Sequence, residues 1–281
     1  MTPRLVSVIF STYNSTAWLE KTLWGFSCQD FAAFEIVVAD DGSGPETRAL
    51  LDRVRPAMPV PVEHVWHEDR GFQKSEILNK AAVAARGDYL VFTDGDCIPR
   101  ADFVSVHASR ARPGHFLSGG YVKLPLELSN LISEQDVRSG RATDPAWLRA
   151  NGLRGRGLLK LGARGALGDV LNAITPTRAT WNGHNASGWK SDVVRVNGFD
   201  ERMQYGGQDR ELGERLVNAG VRPIQIRFSA TCVHLEHGRG YRTEDSLAKN
   251  AAIRERTRRE RLTWTEHGIH KGPRPGTATG S

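Results

Sequence analysis

The chain has 281 residues, of which 39% are hydrophobic and 25% charged, enough apolar content for one large core or two small ones. That content excludes a disordered chain, and 29 glycines without a repeat exclude a collagen-like one. Thirty-eight Lys and Arg against 32 Asp and Glu leave a net charge of +6, which suits solubility or an anionic partner such as nucleic acid, a membrane face or a phosphorylated ligand.

No uncharged apolar run approaches the ~20 residues of a spanning helix, and the first residues lack the pattern of a signal peptide. Cys28, Cys97 and Cys232 lie far apart and form no CxxC, as expected of a reducing compartment. A cytoplasmic protein is therefore expected.

Along the chain, Leu5 to Phe10 is a short apolar run of the kind found in buried parallel strands. A helical pattern follows over Ala17 to Phe26, then a strand over Glu35 to Ala39 that ends in Asp40, Asp41 and Gly42. Thr47 to Val54 predicts a helix, Val60 to Trp66 a strand, Ser75 to Ala85 a helix, and Asp88 to Thr93 a strand ending in Asp94-Gly95-Asp96. This alternation predicts an α/β domain with a mostly parallel sheet and helices on both sides.

Arg149 to Leu171 carries Arg149, Arg154, Arg156, Lys160 and Arg164 among leucines and glycines. Two readings stay open there: a segment lying on an anionic membrane surface, or a mobile loop over the site. Gly188 to Asp200 mixes turns with a short apolar stretch. Gln208 to Ala219 predicts an amphipathic helix, Arg222 to Phe228 and Ala230 to Leu235 strands, Glu244 to Leu262 a solvated charged helix, and Gly268 to Ser281 a disordered tail. Residues 1–267 are expected to form one domain, with one half in 1–100 and the other in 101–267.

In parallel α/β sheets, ligands bind beyond the carboxyl ends of the strands. Asp40, Asp41, Asp94 and Asp96 fall there, and four such carboxylates repel one another unless a cation or a donor-rich ligand joins them. An Asp-x-Asp at a strand end suits Mg2+ or Mn2+ shared with substrate phosphates.

Val8 to Asn14 (VIFSTYN), Val38 to Ser43 (VADDGS) and Arg86 to Asp96 (RGDYLVFTDGD) resemble glycosyltransferase family 2. Asn182 to Asp192, Asn197 to Glu201 and Gly207 to Leu212 are similar to a carboxy-terminal region shared by galactosyltransferases and chondroitin-type polymerases. The resemblance covers residues 4 to 240 and implies a GT-A fold, a nucleotide-sugar donor, a divalent metal (Mn2+ or Mg2+) and inversion at the anomeric carbon.

Carried over position by position, Asp40 would read the base and Asp41 the ribose region, with Thr12 and Asn14 lining the base pocket. Asp94 and Gly95 would face the ribose or sugar, and Asp96 would ligate the metal. Arg70, Lys74 and Asn79 border the donor, although Lys74 and Asn79 also suit ordinary helix positions. His184, Gly188 and Trp189 would meet the sugars, Trp189 by stacking unless it is a core residue. Asp209 would be the base, with Gln208 standing where the family carries Glu. His234, or as second choice His237, would complete the metal shell.

The favoured function is sugar transfer from a UDP-sugar to a hydroxyl of a glycan or lipid-linked glycan, as in bacterial polysaccharide or lipopolysaccharide synthesis. It would take place on the inner face of the plasma membrane if the basic segment docks there, and without nucleic acid. The competing readings are a sugar-1-phosphate nucleotidyltransferase and a non-catalytic glycan- or nucleic-acid-binding module. Against the first, Ser11 to Ser15 lacks the Gly-rich basic loop that a triphosphate needs.

Overall fold

The computed structural model describes residues 2–155, 157–238 and 243–275. Strand and helix alternate through β1 (Val6–Thr12), α1 (Thr16–Ser27), β2 (Phe34–Asp40), α2 (Pro45–Val54), β3 (Val62–Trp66), α3 (Lys74–Ala84) and β4 (Tyr89–Asp94). The chain then runs through β5 (Cys97–Pro99), α4 (Phe103–Arg110), β6 (His115–Ser118) and β7 (Gly120–Lys123). Short helices follow: α5 (Leu126–Leu131), α6 (Glu134–Arg138), α7 (Pro145–Ala150), α8 (Leu158–Gly162) and α9 (Gly165–Ile174). The last part holds β8 (Ala186–Trp189), α10 (Lys190–Arg195), α11 (Gln208–Asn218), β9 (Arg222–Gln225), β10 (Thr231–His234) and α12 (Glu244–Arg259).

The main sheet has the order β3-β2-β1-β4-β8-β6-β9. β1 to β4 run parallel, β8 is antiparallel to both β4 and β6, and β9 is parallel to β6. The parallel strands read as unbroken apolar runs because both faces are covered. From β1, Val6, Val8 and Phe10 pack with Leu19, Leu23 and Phe103 on one face, while Ile9 packs with Ile77, Ala81 and Phe199 on the other.

A second sheet, β5-β10-β7, covers a separate cluster that includes Val122, Leu128, Leu148, Leu158 and Val233. The basic, Leu-rich segment belongs to that cluster, with Leu153, Leu158 and Leu161 buried. These three leucines serve the protein interior and hold the segment against the fold, whereas Leu159 and Leu167 of the same segment face outward. Arg156 lies outside the described residues. The fully buried Arg100 ties the segment down by donating to the carbonyls of Leu161, Ala163 and Ser229. Among the described residues, no helix is long and apolar enough to cross a membrane.

Two other expectations are corrected. Gly188 and Trp189 lie in a strand whose register pairs Leu90 with Gly188 and Tyr89 with Trp189, and Trp189 packs its ring on Tyr89 at 5.3 Å in the core. The segment from Gly268 is also not a free tail at its start. Ile269 N donates to Asn197 O at 3.0 Å, His270 N to Asn197 Oδ1 at 2.8 Å, and Trp264 Nε1 to Gly272 O at 3.2 Å. Residues 276–281 of that expected tail lie outside the described residues.

α11 is fixed by a buried ion pair. Arg215 Nη2 lies 2.6 Å from Glu211 Oε2, each side chain is 1% exposed, and Thr257 Oγ1 of α12 donates to Glu211 Oε1 at 2.9 Å. Removing one partner of such a pair strands the other charge in the interior. Arg215→Met should therefore destabilise the protein by ~3–5 kcal/mol, measured as a lowered urea midpoint. Adding Glu211→Leu should restore much of that loss, because both buried charges are then gone.

Candidate active site

At the carboxyl edge of the main sheet, β1, β2 and β4 end together and their loops wall a cavity of about 620 Å³. The loop after β1 is stapled to the loop after β2: Asn14 N donates to Ser43 Oγ at 2.9 Å, and Gly44 N to Asn14 Oδ1 at 2.9 Å. Thr12, Asn14, Asp41, Lys74, Asp94, Gly95, Asp96, His184, Gln208, Asp209, His234 and His237 all line the cavity.

Five expected residues do not. Asp40 is still in its strand and turns away from the cavity, taking hydrogen bonds from His64 Nε2 at 2.8 Å and Ser43 N at 2.8 Å. Asn79 is buried between helix and loop, where its amide pairs with the backbone of Phe199 and with Glu201. Arg70 lies outside and pairs with Glu76 at 3.2 Å. Trp189 and its neighbour Gly188 are in the sheet, as described above.

Asp41, the residue after Asp40, does line the cavity. His67 Nε2 donates to its Oδ1 at 2.7 Å and Gln73 N to its Oδ2 at 3.0 Å. Lys80 donates to His67 Nδ1 at 3.1 Å, which fixes the tautomer that leaves Nε2–H for Asp41. Burial raises the Asp41 carboxyl, and the His67 bond opposes that rise.

The Asp94-Gly-Asp96 pair sits beside Lys74. Lys74 Nζ lies 2.6 Å from Asp94 Oδ1, and Ser11 Oγ donates to the same oxygen at 3.3 Å. Burial works against both charges of this pair, but their mutual attraction outweighs it. The Asp94 carboxyl is held well below the usual carboxylate range, and the Lys74 ammonium well above its ordinary value.

Ligand atoms of Asp94, Asp96, Cys97 and His234 lie within 4.8 Å of one another. His234 Nδ1 donates to Leu235 O at 2.8 Å, since a carbonyl accepts only, so a neutral ring turns the lone pair of Nε2 toward Asp96 Oδ1, 3.7 Å away. His237 Nε2 is 2.9 Å from Asp96 Oδ2, with its Nδ1 on Gly238 O at 2.8 Å. Lone pairs facing a carboxylate are reconciled by a cation between them, so these residues fit a divalent metal that accepts oxygen and imidazole.

Asp209 stands in the first turn of α11, after Gly206 and Gly207 at φ 107° and 87°, a conformation that glycine adopts without strain. Its Oδ1 is buried without a hydrogen-bond partner. A Cβ at Gly183 would fall 2.7 Å from Asp209 Oδ2, so the bare backbone there is what lets the carboxylate reach the cavity. Burial pushes its carboxyl up to about 6, against the pull of Lys74. His184 is pushed down to about 4, chiefly by burial, and its ring lies 4.1 Å from that of Tyr121.

The cavity also takes in Tyr13, Phe72 and Tyr205, which sequence reasoning did not single out. Tyr13 lies inside the first motif, where it was legible. Phe72 and Tyr205 meet edge to face at 6.2 Å from two separate loops, and nothing in their local sequence marks them.

Residues 7–121 match the family model for glycosyl transferase family 2. Over 255 residues the chain is 29% identical to validoxylamine A glucosyltransferase of Streptomyces hygroscopicus subsp. jinggangensis, covering 84% of this chain and 56% of that protein. The chain thus spans about half the length of the curated relatives it first matches. The mannosyltransferase PcManGT of Pyrobaculum calidifontis, solved with GDP-Man and Mn2+, shares the fold at a TM-score of 0.56 and 23% identity, over 86% of this chain and 59% of that one. S. aureus TarS 1-349, solved with UDP-GlcNAc, does so at 0.57 and 16%, over 84% and 60%. The fold is GT-A.

The raised Asp209 carboxyl has a consequence for stability. Folded, it titrates at about 6, and its ordinary value is 3.8, so the folded state binds more proton between those values. The group therefore costs stability as pH rises through that window. Asp209→Asn should raise the melting temperature at pH 8 by ~2–4 °C, the shift expected for ~1 kcal/mol in a domain of this size, and the gain should fade between pH 6 and pH 4. Thermal melts across that pH range check it.

Proposed function

We propose that this chain, which belongs to glycosyltransferase family 2, transfers a hexose-type sugar from a UDP-sugar to a hydroxyl of a glycan or lipid-linked glycan, with inversion. The observation that carries this reading is a single cavity holding both the Asp209 carboxylate, whose buried Oδ1 has no hydrogen-bond partner, and the Asp94, Asp96 and His234 cluster. Proteins of the same fold solved with GDP-Man or UDP-GlcNAc support a nucleotide-sugar donor.

In this reading the donor half, residues 1–100, holds the nucleoside through Thr12, Asn14 and Asp41. Lys74 and Asp94 meet the ribose and phosphates. Asp96 and His234, with His237 beside them, would hold a divalent cation, for which imidazole favours Mn2+ over Mg2+. When bound, the cation supplies positive charge for the departing diphosphate.

The acceptor half, residues 101–267, brings Gln208, His184 and Asp209. His184, neutral at working pH, offers its ring to a sugar hydroxyl without adding charge. Asp209 takes the proton of the acceptor hydroxyl as that oxygen bonds to the anomeric carbon. The bond from this carbon to the diphosphate breaks on the opposite face, and the nucleoside diphosphate leaves. A bacterial surface polysaccharide or lipopolysaccharide precursor is the acceptor class in this reading, with the enzyme peripheral at the inner face of the plasma membrane.

A base that acts on the acceptor alone should matter for turnover and little for donor affinity. Asp209→Asn is expected to bind UDP-sugar nearly as wild type does and to lose at least ~100-fold in transfer. If that variant keeps normal turnover, another group is the base. The wild-type rate should fall as pH drops below about 6, where Asp209 becomes protonated.

Calorimetric titration of UDP should show tighter binding with Mn2+ than in EDTA. Asp96→Asn should erase that difference. Equal affinity in EDTA removes the metal from the mechanism.

A further inference from the structure

We propose that α9 is a membrane-docking helix that lies on an anionic lipid surface with Leu167, Val170 and Ile174 in the acyl boundary. The helix is built inside out. A surface helix of a globular protein turns its apolar stripe to the core, yet here Leu167, Val170 and Ile174 are 54%, 55% and 68% exposed. They lie at i, i+3 and i+7, one face of the helix.

The polar face is the one that packs. Asn172 Nδ2 donates to Ser229 Oγ at 2.8 Å, and its Oδ1 accepts from Phe228 N at 3.0 Å. Asp169 pairs with Arg110. Gln225 Nε2 caps the carbonyl of Thr175 at 2.9 Å. Gly168 lets the backbone close in, since a Cβ there would lie 3.0 Å from Ser229 Oγ. These contacts fix the rotation of the helix, so the outward apolar stripe is a property of the fold.

Charge names the occupant. Residues 149–178 contain Arg149, Arg154, Arg156, Lys160, Arg164 and Arg178 against one acid, Asp169, which Arg110 already pairs. Arg164 is exposed at the N-cap of α9, and Arg178 is exposed four residues beyond its last residue. Arg164 at the N-cap opposes the helix dipole, so it is not there to stabilise the helix. Leu159 of α8, 52% exposed, is a further outward apolar side chain of the same basic segment. An apolar stripe between arginines fits anionic headgroups above an acyl layer. A second copy of this chain would instead bring like charges together.

The experiment is co-sedimentation of the full chain with vesicles of phosphatidylcholine alone or with ~30% phosphatidylglycerol, the headgroup whose charge the arginines match. Binding to the anionic vesicles is expected, with release at 0.5 M salt. The variant L167S/V170S/I174S should bind at least ~10-fold less, and Arg164→Glu should weaken binding, both with unchanged circular dichroism. Absence of vesicle binding overturns the proposal, and so does binding that neither variant weakens. A wild-type dimer in light scattering that the triple variant dissociates also overturns it, by assigning the face to self-association. The proposal goes beyond the transfer reading and does not depend on it: UDP titration can fail while vesicle binding holds, and the reverse.

Discussion

The contact between Lys74 and Asp94, 2.6 Å long, is the one on which the rest of the site depends. The carboxyl edge of the parallel sheet and the first turn of α11 bring Asp41, Asp94, Asp96 and Asp209 into one cavity, and like charges so placed repel. Lys74 begins α3, whose next residue, Ser75, donates to Met203 O at 3.2 Å, so the ammonium is held in place by the fold. It keeps Asp94 ionised, whereas the Asp209 carboxyl still rises because burial outweighs the pull of Lys74. Two carboxylates around one lysine are thereby driven in opposite directions, the separation that acid–base chemistry requires.

The opposite wall is held by uncharged groups. Asn185 is fully buried and donates to Gly120 O at 2.7 Å and to Ala230 O at 3.1 Å, while His107 Nε2 donates to its Oδ1 at 2.9 Å. Burial depresses His107 to about 4, so this network carries no charge at neutral pH. Because Asn185 is pinned on both sides, the turn before it presents Gly183 and His184 to the cavity without slack.

The parallel half was legible in the sequence because strands buried on both faces leave continuous apolar runs. The strand ends were drawn short, since Thr12, Asp40 and Asp94 still pair in the ladder, with Thr12 opposite Asp40 and Ser11 opposite Asp94. That difference explains why Asp41, and not Asp40, lines the cavity. Asp40 is the last strand residue and turns toward His64, while Asp41 beyond it faces the cavity. The four-residue β8 was too short for its alternation to register, so for Trp189 both a sugar contact and a core position stayed open. Asn79 looked like a donor ligand because its partners, Phe199 and Glu201, lie 120 or more positions away. The leucines of 149–171 could be seen, but the side of the chain each would face is set by Arg100 and Asn172, which are long-range contacts.

Arg100 has a consequence for how such a protein changes over generations. Among the described residues, the stretch from α5 to α9 contributes no strand to either sheet, and it is tied back at a few points, Arg100 and Asn172 among them. Its exposed positions are therefore free to drift without shifting the register of the strands that carry Asp41, Asp94 and Asp96. The stretch and the strands that carry the cavity are thus separable parts of one chain, joined through a shared apolar cluster and by the Arg100 guanidinium and the Asn172 amide.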